Sequence, residues 1–63
     1  MKTIKQHLID GAKHYEDHAA WERKRAEHCT KGSDVMYENM MAAKYNEGRA
    51  AAYREILEFL IGE

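Results

Sequence analysis

One short cluster of helix-breaking residues, Thr30-Lys31-Gly32-Ser33, interrupts an otherwise continuous helical pattern, and the chain contains no proline. On both sides of it apolar residues recur at spacings of three and four, and no strand-like alternation persists, so the chain is restricted to an all-α fold of two long helices. Thr3-Ile4-Lys5-Gln6 fits a capping box, in which the Thr hydroxyl accepts from the third helical N–H and Gln reaches back to the cap. Gly32 can take the left-handed conformation that closes a helix, and Ser33 or Asp34 offers a fresh N-cap. The first helix is therefore expected over about 4–29, the loop over about 30–33 and the second helix over about 34–61, with Gly62 as its stop. So short a loop turns the helices antiparallel, and residues 1–63 are expected to form one helical hairpin.

At 63 residues the chain is below ordinary domain size. A chain this short buries only about 60% of its unfolded surface, and disulfides, a metal or a second subunit usually supplement the core. Cys29 is the single cysteine, which excludes an internal disulfide and suits a reducing cytoplasm. No apolar run approaches the about 20 residues of a membrane span. Met1–Asp10 alternates polar and apolar residues, unlike a secretory signal, so the expected location is cytoplasmic. Ten Lys and Arg against eleven Asp and Glu give a net charge of −1, without the basic excess of most nucleic-acid binders.

Helical spacing places Ile4, Leu8, Gly11, Ala12, Tyr15, Ala19, Ala26 and Cys29 on one side of the first helix, with Glu22 as the only charge there. On the second helix Tyr37, Met41, Tyr45, Gly48, Ala52, Ile56 and Phe59 align in the same way. If these stripes face each other across a fold at Lys31, partner numbers add to about 63 and large residues meet small ones. Tyr15 then faces Gly48, Ala19 faces Tyr45, Ala26 faces Tyr37 and Leu8 faces Ile56. Ile9, Tyr53, Leu57, Leu60 and Ile61 remain as apolar surplus at the open end, the expected homodimer interface of a four-helix bundle.

His14 and His18 stand four apart, as two metal ligands on adjacent turns would, with Asp10 and Asp17 one turn away. The chain lacks both a cysteine pair and the Glu-x-x-His pairs of di-iron bundles, so no metal or other cofactor is expected. His7, His14, Trp21 and His28 recur every seven residues and form a ridge to one side of the inward stripe. Trp21 is the natural hot spot of such a ridge, and the histidines beside it would make a contact pH-sensitive. Met36 and Met40 flank the second helix as an adaptable contact surface, while Tyr37 and Met41 are assigned to the core. Trp21, His14, His28, Met36 and Met40 thus form the expected partner-binding set.

Arg23-Lys24-Arg25 is not a phosphate-binding patch, because successive helical residues point 100° apart. Lys2, Lys13, Lys24 and Lys31 share an outer face that Glu16 and Glu27 interrupt, which reads as a solvated surface. The alternative function is a small dimeric RNA- or DNA-binding regulator, similar in architecture alone to the plasmid copy-number regulators that bind paired RNA loops. Enzyme chemistry is not expected. There is one serine, no glycine-rich phosphate loop, and adjacent His28 and Cys29 cannot face each other across a helical turn.

Asn46-Glu47-Gly48-Arg49-Ala50-Ala51-Ala52-Tyr53-Arg54-Glu55-Ile56-Leu57 resembles the C-terminal helix of short phage-encoded helical accessory proteins. The resemblance implies a small binder that occupies the working surface of a host protein, as anti-defence inhibitors such as anti-CRISPR proteins do. The expected function is therefore a non-enzymatic protein-binding module, a phage-type inhibitor or regulator acting in the host cytoplasm.

Overall fold

The computed structural model describes residues 1–62; Glu63, the last residue of the expected hairpin, lies outside them. Two helices, α1 (Ile4–Glu27) and α2 (Asp34–Gly62), pack against each other as a hairpin, with no strand among the described residues. Thr3 caps α1 by accepting from the Gln6 backbone N–H at 3.1 Å. The Gln6 side chain does not close the expected box. Its amide donates instead to Asp10 at 3.1 Å, and Asp10 also holds Lys2 at 2.7 Å.

The first helix ends two residues earlier than its periodicity implies. His28 is its C-cap, and its N–H and that of Cys29 bond back to the Arg25 and Ala26 carbonyls. Gly32 does not close α1. It sits at φ 80 as the third residue of a separate turn, in which the Ser33 N–H donates to the Thr30 carbonyl. The Ser33 hydroxyl then caps α2 by accepting from Met36 N–H at 3.2 Å.

The seam between the helices is made of small residues. Leu8, Ala12, Ala19 and Ala26 are buried from α1, and Ala43, Ala50 and Leu57 from α2. The α2 set steps by seven and the α1 set by four and then seven, the repeat that keeps two helices in contact along their length. Contacts across the seam join residues whose numbers add to 68–70: Cys29 with Asn39, Glu22 with Asn46, Tyr15 with Tyr53, Arg23 with Glu47 and Glu16 with Arg54. In this register Ala12, Ala19 and Ala26 stand opposite Leu57, Ala50 and Ala43. Glu22, the one charge on the inward stripe, accepts from Asn46 Nδ2 at 2.5 Å, so the half-buried carboxylate keeps a partner and fixes the register.

This arrangement overturns the face expected for α2. Tyr37, Met41, Tyr45, Gly48, Ala52, Ile56 and Phe59 are all exposed on the side away from α1. Nothing approaches within 4 Å of where a Gly48 side chain would begin, so Gly48 does not receive Tyr15. The close approach is at Gly11, where a Cβ would lie 3.3 Å from the Tyr53 ring. Two members of the expected dimer patch change place for the same reason. Leu57 is only 8% exposed within the hairpin seam, and Tyr53 stacks on Tyr15 at 5.6 Å. Ile9 is half-buried, whereas Leu60 and Ile61 remain exposed. Ile4, expected inward, is exposed. Alanine methyls let the two backbones approach closely, and a seam of tyrosines could not.

The Cα atoms extend 46 × 21 × 11 Å, so the protein is a slab one helix thick. No described helix is long and apolar enough to cross a membrane.

Candidate functional site

The hairpin has two unlike edges flanking its seam. On one edge Arg23 donates two hydrogen bonds to Glu47 at 2.6 and 2.7 Å, and Arg54 donates two to Glu16 at 2.5 and 2.6 Å. Such fork-to-carboxylate pairs fix geometry well, although exposed pairs contribute little stability. Each guanidinium holds the carboxyl of its Glu partner below the ordinary glutamate value.

The other edge is aromatic. His14 and His18 lie with ring centroids 5.1 Å apart, His18 meets Trp21 edge-on at 6.2 Å, and the Arg25 guanidinium lies 4.8 Å from the centroid of the Trp21 ring. These residues follow each other at steps of four, three and four, the spacing that brings helical side chains into contact. The ladder continues across the seam. His14 meets Tyr15 at 5.4 Å, and Arg49 lies over both Tyr15, at 4.7 Å, and Tyr45, at 5.5 Å. Arg49 also donates to the Tyr45 hydroxyl at 2.7 Å. An unbroken band of rings and guanidinium groups thus runs from Arg25 on α1 to Tyr45 on α2.

Within this band His14, Asp17, His18 and Trp21 line an open groove of about 330 Å³. Trp21 is the large apolar member, and it stays 53% exposed although Arg25 and His18 pack on it.

The expected partner-binding set is therefore divided. Trp21 and His14 share the aromatic groove, while His28 lies beyond the last turn of α1, at its cap. Met36 and Met40 line a second groove of about 260 Å³ with Arg23, Ala26 and Glu27. Helical spacing puts Arg23 and Glu27 on the ionic edge, away from Trp21. Met36 is half-buried at the seam, the reverse of the expected exchange with Tyr37 and Met41, which are exposed. The seven-residue ridge in the sequence leaves out His18 and Arg25, which reach Trp21 by steps of three and four residues.

His14 and His18 are neighbours, but among the described residues no group of three or more His, Cys, Asp or Glu side chains is placed to hold a metal ion. Comparison with known proteins finds no matching family model, curated protein or solved structure.

Proposed function

We propose that this chain is a non-enzymatic protein-binding module, a phage-type inhibitor or regulator that occupies a working surface of a host cytoplasmic protein. It acts as a homodimer of hairpins in a four-helix bundle, and each hairpin presents the Trp21 edge to the partner. The observation that carries this reading is the exposed Trp21, in contact with Arg25 and His18 beside a groove. Tryptophan and arginine are the residue types that most often dominate interface energy, and here they are stacked on each other in the free chain. A slab one helix thick offers no deep concavity for a small substrate, which favours a flat contact with a macromolecule.

Affinity capture from a bacterial lysate, with and without nuclease, tests the reading when wild type and Trp21→Ala are compared. The expected result is one protein partner that survives nuclease and binds the variant more weakly by about 2 kcal/mol or more, with helicity by circular dichroism unchanged. Capture that depends on nucleic acid would replace this function with the RNA- or DNA-binding alternative. Equal capture by the variant would remove Trp21 from the site. Tryptophan emission gives an independent measure, and in the free protein it should be red-shifted and open to quenching.

A further inference from the structure

Apart from Tyr45, which ends the Trp21 band, the outer face of α2 is used by neither the hairpin seam nor the Trp21 edge. Tyr37, Met41, Tyr45, Ile56 and Phe59 are between 50% and 71% exposed and lie on one line along the helix. At about 200 Å² per large side chain, they leave roughly 600 Å² of contiguous apolar surface. That reaches the upper end of the largest patch on a typical monomer, about 300 to 600 Å². It also supplies most of the about 800 Å² per partner found in a standard stable interface.

We infer that this face binds a second copy of the chain, with α2 packed antiparallel on its symmetry mate and the two-fold axis passing beside Gly48. The inference rests on the dimeric reading above and assigns its surface; because this face points away from α1, the two α2 helices lie at the centre with one α1 on either side, in place of a bundle around one core. The face is complementary to itself about that point. When partner numbers add to 96 or 97, Tyr45 meets Ala52, Met41 meets Ile56, Tyr37 meets Phe59 and Gly48 meets its own copy. An isologous contact requires this property, since each pair must occur twice, once in each direction. Small residues, Gly48 and Ala52, lie near the axis and large ones pair with each other farther out, so the glycine lies where two backbones would cross most closely.

Charge agrees with the same register. In an antiparallel two-fold pair each flank of the stripe meets the same flank of its copy, so Lys44 comes beside Glu55 of the other chain, twice. Arg49 on the other flank would approach its own copy near the axis, but its guanidinium is already turned onto Tyr15 and Tyr45. Gly48 otherwise lacks a reason within the hairpin. It sits mid-helix, where glycine costs about 1 kcal/mol relative to alanine, and nothing within 4 Å requires it. His14, His18, Trp21 and Arg25 stay uncovered in this arrangement, because they belong to α1 and the contact is made by α2 alone; Tyr45, at the far end of their band, is the one residue shared with the contact.

Symmetric cross-linking tests the assignment. In a Cys29→Ser background, Gly48→Cys should give a disulfide-linked dimer under mild oxidation with diamide, and Trp21→Cys in the same background should not. Gly48→Glu places bulk and like charge at the axis, and sedimentation should show self-association weakened at least tenfold with helicity retained. A wild-type dimer that yields no Gly48→Cys cross-link, or cross-links equally through Trp21→Cys, would overturn this face while leaving the dimeric reading in place. A wild-type protein that stays monomeric at high micromolar concentration would overturn both.

Discussion

The two faces of α2 are both apolar, yet they are built from residues of different size. The inner face offers Ala43, Ala50 and Leu57 with Asn39, Asn46 and Tyr53 between them. The outer face offers Tyr37, Met41, Tyr45, Ile56 and Phe59 around Gly48 and Ala52. α1 packs on the small-residue face. Close approach of two backbones brings many main-chain and Cβ atoms into dispersion contact, and two polar groups, Glu22 and Asn46, can reach each other across that short gap. Side-chain size therefore separates the two roles: alanine fits a helix already joined by a short loop, and the larger residues remain for a surface that arrives from elsewhere.

The sharpest way to break this contrast is to put a large residue on the small face. Ala43 is completely buried, so Ala43→Leu should overpack the seam at a cost of about 1 to 3 kcal/mol. In a domain this short each kcal/mol lowers the melting temperature by about 4 to 8 °C. Calorimetry on dilute protein would show it, and an unchanged melting temperature would mean that the seam is not closely packed.

The converse substitution tests the outer face. Because Gly48 is exposed and helical, Gly48→Ala should stabilise the isolated hairpin by about 0.5 to 1 kcal/mol through helix propensity. A register that set Gly48 against Tyr15 demands the opposite sign. Thermal melting at low micromolar concentration, where self-association contributes least, distinguishes them.

The smallest effect belongs to the ionic edge that flanks both faces. Glu16 and Glu47 are held below their ordinary carboxyl value of 4.5 by hydrogen bonds from Arg54 and Arg23. The unfolded chain therefore takes up these protons first on acidification. The stabilisation is complete above the ordinary glutamate range and is lost as pH falls through the lowered folded values. Melting temperature against pH should fall in that window for wild type and fall less for the double variant Arg23→Gln, Arg54→Gln. Both carboxylates are exposed, so the difference should be slight and should shrink further in salt.

Much of α1 is legible in the sequence alone. Its start at Thr3, its stripe of Leu8, Ala12, Tyr15, Ala19 and Ala26, and the sideways position of Trp21 all follow from spacing, because α1 has one apolar side. The partners of Trp21 were less legible. Arg25 and His18 are polar residues whose contact with the indole depends on rotamers that spacing permits without requiring.

By itself the sequence determined two helices, one short link and their antiparallel packing, since a chain without proline and with a single break has few other ways to bury apolar residues. Only the tertiary structure decided which face of α2 turns inward and in which register. Hydrophobic periodicity detects a stripe but does not rank two stripes on opposite sides of one helix. That choice rested on how closely two backbones can approach and on where Glu22 finds Asn46, both properties of the packed pair that neither helix carries alone.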